Sequence, residues 1–202
     1  MALRLTNLDP GPPPSVGNKV TLYEKAHFEA MRFVHDMLFG HFIQPFEWLG
    51  QSGITTGQDV LEVGCGSGFF TIAATELVGE SGHLWALDNN PAAVAHVKRR
   101  IMQQGIKNVD VVLADALHTG LPEGGFDVAF LYGVIHNLWD RVETLLPEMH
   151  RVLKTGGILS ISKSPRITEE RIIKGVTETG LFRLVQKTNR VVNFERLQRA
   201  GS

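Results

Sequence analysis

The sequence predicts an α/β fold: a doubly wound, seven-stranded sheet, mostly parallel, that finishes in an antiparallel β-pair and is preceded by an N-terminal helical extension. Two observations carry this expectation. From Asp59 onward, short β-branched or aliphatic runs alternate with segments of helical period, the pattern of parallel strands covered by helices on both faces. The residues least suited to a buried strand also gather just past those runs: Gly64, Gly66 and Gly68, then Asp88, then Asp115, then Tyr132, Gly133 and His136. Open parallel sheets bind their ligands at such carboxyl ends.

The elements follow in order. Strands are read at QDVLEV, HLWALD, VDVVLA, FDVAFLY and GILSISK. Between them, GFFTIAATELVG is a helix. PAAVAHVKRRIMQQG is a second, with proline in its first turn, where the missing N–H costs nothing. RVETLLPEMHRVLK is a third, closed by Thr155-Gly156-Gly157. TEERIIKGVTETG is a further helix, and LFRLVQK with RVVNFERL forms a hairpin across Thr188-Asn189. Ahead of the sheet, Phe28, Met31, Val34, Leu38 and Phe42 recur at helical spacing. That helix either covers the sheet or closes over the crevice as a lid.

Composition narrows the partners. The chain has 202 residues, 20 basic and 21 acidic, for a net charge of -1, so nothing calls for a nucleic-acid phosphate track or an anionic membrane surface. Cys65 is the single cysteine, which excludes an intramolecular disulfide and suits a reducing cytoplasm. The N-terminal MALRLTNLDPGPPPSVGN lacks an apolar stretch long enough for a signal peptide, and FVHDMLFGHFIQPFEWLG is too interrupted by polar residues to span a bilayer. A cytoplasmic protein is expected.

The loop GCGSG asks for a ligand. Glycines in alternate positions let the backbone approach a bound group with no Cβ in the way. The spacing G-x-G-x-G departs from the dinucleotide fingerprint G-x-G-x-x-G, and no G-x-x-x-x-G-K-[ST] is present at this loop. Asp88, at the end of the second strand, is placed to accept both hydroxyls of a ribose. Its competing role is a cap or turn aspartate ahead of the next helix.

With Glu62 added, the stretches VLEVGCGSGFFT, ALD, ADALHTGLPEGGFDVAFL and MHRVLKTGGILSIS resemble the successive motifs of class I S-adenosylmethionine-dependent methyltransferases, from about Asp59 to Lys163. The resemblance implies a Rossmann-like fold and S-adenosyl-L-methionine as cofactor, with S-adenosyl-L-homocysteine as product. It implies that Glu62 holds the glycine loop and the amino acid end of the cofactor, and that Gly64, Cys65, Gly66 and Gly68 run under its methionine and ribose portion. Asp88, with Asn89 beside it, takes the ribose, and Asp115 and Ala116 the adenine edge. Tyr132 is placed against the sulfonium or adenine. Loop amides and a cationic amine are expected to satisfy the buried Glu62 carboxylate. Residues 1–18 then form an irregular arm and 19–200 one domain, with a helical cap at 19–50, a cofactor-binding core at 58–163, and a C-terminal helix and β-pair at 168–197.

Methyl transfer from a sulfonium is chiefly a matter of orientation, and a base is needed only if the acceptor must lose a proton. His136 is the candidate base, since histidine titrates near neutrality; it can equally line the pocket or cap the next helix. Phe69 and Trp139 are aromatic candidates for the sulfonium or adenine that can equally be core, and Tyr23 is a candidate if the N-terminal helix folds over the crevice. The remaining histidines show no metal-ligand spacing, so no metal is expected.

The leading expectation is a methyltransferase acting on a small molecule, whose pocket is built from the N-terminal helix, the YGVIHNLWD loop and SKSPRITEE. An alternative has a macromolecular acceptor, a tRNA or a protein, met with a partner and requiring Lys98, Arg99, Arg100, Lys163, Arg166 and Arg171 to share one face. A second alternative is a non-catalytic scaffold using Phe39, Phe42, Phe46 and Trp48. The aromatic N-terminal segment can bury itself on its own sheet or on another copy, so a homodimer through it stays open.

Overall fold

The computed structural model describes residues 44–198. The lid, Tyr23, Phe39, Phe42, and most of the 19–50 cap therefore lie outside the described residues. What is described of the cap is a short helix, α1 (Pro45–Leu49). β1 (Asp59–Val63) then leads to α2 (Phe69–Val78), β2 (His83–Asp88), α3 (Pro91–Gln104), β3 (Val109–Leu113) and β4 (Phe126–Leu131). After β4 come α4 (Ile135–Leu138), a 3-10 turn at Trp139–Arg141, α5 (Val142–Val152) and β5 (Leu153–Ser162). α6 (Glu169–Thr177) and the pair β6 (Phe182–Lys187) and β7 (Val191–Arg196) end the fold.

The seven strands form one sheet in the order β3-β2-β1-β4-β5-β7-β6. β1 to β5 run parallel, and β7 enters antiparallel between β5 and β6. The expected doubly wound sheet with a terminal antiparallel pair is what forms. Because the chain builds outward from β1 to β3 and then returns to β4, the crevice of the fold opens between the carboxyl ends of β1 and β4.

Both faces of the central strands are buried, which is why they read as nearly continuous apolar runs. Leu61 and Val63 of β1, with Ala129 and Leu131 of β4, enter the core shared with α5 and α6. Val60, Val128, Phe130 and Tyr132 point to the other face, against Ala73, Ala74 and Val78 of α2 and Leu49 of α1. Ala86 and Val111 pack with Val94, Val97 and Ile101 of α3. α1 thus lies over the α2 side of the sheet, with Trp48 at 5.9 Å from Phe70 and 6.1 Å from Tyr132 between ring centroids.

One boundary differs from expectation. α5 stops at Val152 rather than Lys154, and β5 begins at once, without the turn at Thr155-Gly156-Gly157 intervening. Two carbonyls at the end of α5 are taken by the loop before β4: Gly124 N–H donates to Arg151 O at 2.9 Å and Gly125 N–H to Val152 O at 2.8 Å. Leu153 pairs with Phe126, with a register shift before Val128 pairs with Ile158. Lys154 then ties Asp127 and Asp59 together, at 2.7 and 3.4 Å.

Candidate functional site

The turn after β1 is held to the neighbouring strand by two adjacent amides, Gly64 N–H and Cys65 N–H, both donating to Leu87 O, at 2.7 and 3.0 Å. Gly64 sits at φ 80°, and a Cβ there would fall 2.4 Å from Cγ1 of Val134, so only glycine lets the β1 turn close on the loop after β4. Gly66, at φ 51°, has no atom within 4 Å of the place its Cβ would take. Here glycine serves the left-handed backbone and leaves the turn's outer side clear for a bound group.

Asp88 completes this turn. Its Oδ2 accepts from Gly66 N–H at 2.9 Å and its Oδ1 from Asn90 N–H at 2.8 Å. The capping role goes instead to Asn90, whose side chain accepts from Ala92 N–H at 2.8 Å at the start of α3. Each Asp88 oxygen is thus aimed by one backbone amide and keeps lone-pair capacity for further donors such as a diol. Asn89, between the two, is exposed.

Glu62 is 2 % exposed. The loop amides do not serve it. Thr71 of α2 does, donating from Oγ1 to the carboxylate at 2.6 Å. Burial, opposed by that hydrogen bond and reinforced by the nearby Asp88 charge, pushes the Glu62 carboxyl up to about 8. A second contact that sequence reasoning missed is that of Arg100, considered there only as part of a basic face: its guanidinium reaches back from α3 to donate to Ser67 O at 2.7 Å. Thr71 had a legible signal, a hydroxyl in the first turn after a glycine loop that faces a strand acid. Arg100 had none.

The other expected residues fall into place unequally. Asp115 is exposed just past β3, next to the end of β2, where Ala114 N–H donates to Asp88 O at 3.1 Å; its Oδ1 accepts from Leu117 N–H at 3.0 Å. Ala116 beside it is buried. Cys65 turns its side chain into the packing of Ala86, Val94 and Val97, and burial together with the Glu62 and Asp88 charges raises its thiol far above the ordinary range. Tyr132 is buried. Its ring packs on Phe70 and Phe130 at 5.2 and 5.0 Å between centroids, and its hydroxyl lies 2.9 Å from Ser160 Oγ. Ser160 in turn donates to Asn193 Oδ1 at 2.7 Å, which makes the Tyr132 hydroxyl the donor to Ser160. That is a buried polar chain running from the end of β4 to β5 and β7, and it surrounds Tyr132 with core neighbours. Trp139 is also core, 8 % exposed, with the Arg171 guanidinium over its ring, and Phe69 packs edge-on against Phe70 at 5.0 Å.

His136 lies in α4, directly beyond β4. Its Nε2 is hydrogen bonded to the Arg166 guanidinium. Arginine has no lone pair to offer, so Nε2 is the acceptor and the imidazole is the Nδ1–H tautomer. Nδ1 is buried and meets no hydrogen-bond partner. Desolvation first, and the Arg166 charge second, lower the affinity of this imidazole for a proton. The lone pair that a base would use is therefore already engaged.

Gly66, Asp88 and Glu62 test the fit of the implied cofactor: a clear approach to the backbone, an aimed carboxylate for a diol, and a buried acid with one hydroxyl partner that an ammonium group would complete. The arrangement fits. Residues 60–157 match the family described as a methyltransferase domain. That stretch, from β1 into β5, is a methyltransferase domain of the class I S-adenosylmethionine-dependent kind. Among relatives, the chain is 29 % identical over 137 residues to a demethylmenaquinone methyltransferase of Geobacillus stearothermophilus, covering 66 % of this chain and 56 % of the relative. It is 28 % identical over 162 residues to a ubiquinone/menaquinone biosynthesis C-methyltransferase of a Marinomonas species, covering 79 % and 64 %. It spans a little over half the length of the first of these. The fold matches the crystal structure of a SAM-dependent methyltransferase from Aquifex aeolicus with a TM-score of 0.71 and 22 % identity, over 85 % of this chain and 97 % of that one.

The six basic residues of the macromolecular alternative do not form one face. α3, with Lys98, Arg99 and Arg100, packs on β2 and β3, whereas Lys163, Arg166 and Arg171 follow β5 on the far side of β1 and β4. Arg100 is engaged with the glycine turn, and Lys163 is paired with Glu169. Of the scaffold patch, Phe46 is 46 % exposed while Trp48 is packed on Phe70 and Tyr132. Among the described residues no helix is long and apolar enough to cross a membrane, and no three His, Cys, Asp or Glu side chains converge as a metal site.

Proposed function

We propose that this methyltransferase transfers the methyl group of S-adenosylmethionine to a small-molecule acceptor seated at the carboxyl ends of β4 and β5. The observation that carries the reading is the Asp88 carboxylate, locked between Gly66 N–H and Asn90 N–H at the mouth of the crevice. Two segments expected to wall the acceptor support it further, because they meet: Gly133 N–H donates to Ser162 Oγ at 3.0 Å, His136 holds Arg166, and Trp139 carries Arg171.

S-adenosylmethionine, when bound, supplies a methyl group already activated by a sulfonium. The chain's own residues then have to bind, orient and exclude water. Glu62 would face the amino group, Asp88 the ribose, and Asp115 with the Ala116 amide the adenine edge. Positioning of this kind can account for roughly 7–11 kcal/mol of barrier reduction. Because the His136 lone pair is held by Arg166, proton removal by His136 requires that contact to open first.

The test is formation of S-adenosylhomocysteine by the purified chain against a panel of hydroxylated aromatic rings, quinols and aromatic carboxylates, with bulk tRNA and protein as separate arms. Turnover on members of the small-molecule panel is expected. Turnover confined to tRNA or protein would overturn the reading in favour of a macromolecular acceptor.

A further inference from the structure

Among the described residues, the face beyond the carboxyl ends of β4 and β5 gathers Lys163, Arg166, Arg171 and Lys187, and Arg190 beside them is paired with Glu47 at 3.6 Å and lies over Trp48. They are not equivalent. Glu169 pairs with Lys163 through one oxygen and with Lys187 through the other, so both lysines are compensated by a single carboxylate. The Arg171 guanidinium lies over Trp139, 5.6 Å from the ring centroid. Arg166 has no carboxylate partner among the described residues; its side-chain contact is with the neutral imidazole of His136.

The backbone presents Arg166 deliberately. Ser164 and Ile167 form an isolated antiparallel bridge, and Arg166 N–H donates to Ser164 Oγ at 3.2 Å, so the chain turns tightly with Arg166 near its tip. Ile167, 7 % exposed, anchors the turn in the core. From there the guanidinium crosses to α4, beside the β4 loop whose Val134 touches the glycine turn. His136 uses only part of the fork, which leaves N–H donors in the planar pair that matches a carboxylate.

We propose that Arg166 is the anion-binding residue of the acceptor site, oriented by His136, and that the acceptor carries a carboxylate. This rests on the methyltransferase reading and adds the acceptor's chemical class to it. A planar carboxylate takes two parallel N–H bonds from a guanidinium, a geometry that a lysine ammonium does not reproduce. His136 acts here as a positioning residue. It accepts without carrying a charge of its own, so it fixes Arg166 without neutralising it.

The test uses the full chain saturated with S-adenosylhomocysteine, whose own affinity is recorded first, so that loss of cofactor binding is seen separately from failure at Arg166. Benzoate, its neutral counterpart benzamide, and methyl phosphate are then titrated and followed by NMR shifts. Benzoate is expected to bind at least tenfold tighter than benzamide and tighter than methyl phosphate. Arg166→Gln should erase the benzoate advantage while leaving S-adenosylhomocysteine affinity unchanged, and Arg166→Lys, which keeps charge but not the fork, should recover only part of it. The imidazole nitrogen signals of His136 should shift on adding benzoate in the wild type and stay put in Arg166→Gln. Equal binding of benzoate and benzamide, a benzoate advantage that survives Arg166→Gln, or Arg166-dependent preference for methyl phosphate would each overturn the assignment.

Discussion

Glu62→Gln is expected to flatten the pH dependence of stability in the ligand-free protein, the largest single effect that the site predicts. Burial on the α2 side of β1, opposed by the Thr71 hydrogen bond, pushes the wild-type carboxyl up to about 8 in the folded protein, against 4.5 in the unfolded chain. Below the unfolded value both states hold the proton and no penalty exists. As pH rises toward 8 the unfolded chain releases its proton while the folded one keeps it, so stability falls by about 1.4 kcal/mol per pH unit. Across the whole window the loss is roughly 3–5 kcal/mol. Glutamine keeps an oxygen for Thr71 and cannot ionise. Urea unfolding at a series of pH values should therefore show a slope between pH 5 and 8 in the wild type, and a shallower one in the variant. The same slope in both proteins would mean that Glu62 does not carry this proton.

Asp88→Ala is expected to weaken S-adenosylmethionine binding by about 1–3 kcal/mol, roughly fivefold to 150-fold. Two losses combine. The ribose forfeits charge-assisted acceptors, and the amides of Gly66 and Asn90 lose the group that aims them. Asp88→Asn separates these, since an amide oxygen retains one acceptor while the charge is gone. Calorimetry on both variants, alongside circular dichroism to verify folding, should place Asn between wild type and Ala. Unchanged affinity in a folded Asp88→Ala protein would remove Asp88 from the cofactor site.

Much of the fold was legible because each local signal agreed with the next. HLWALD and β2 coincide, as do Pro91 with the first turn of α3 and Gly105 with its left-handed cap at φ 65°. The end of α5 was not legible, since it depends on Gly124 and Gly125 reaching across from another part of the chain to take its last carbonyls. At the site, the glycine turn and Asp88 could be read because a positive φ and a strand-end carboxylate are demands of local chemistry. The surroundings of Tyr132 were not legible. Its position at the end of β4 suits a pocket, but alternation along the strand sends its ring to the Phe70 side and its hydroxyl into the Ser160–Asn193 chain. His136 was found and its state was not, because the residue that occupies its lone pair lies thirty positions away, in the loop after β5.

The most direct measurement is calorimetric titration of the purified chain with S-adenosylmethionine, S-adenosylhomocysteine and NAD in parallel. Micromolar binding of both sulfur nucleosides with no response to NAD is the predicted result, and it follows from the turn that Gly64, Gly66 and Asp88 build together. A folded protein that binds neither sulfur nucleoside would contradict the account at its centre.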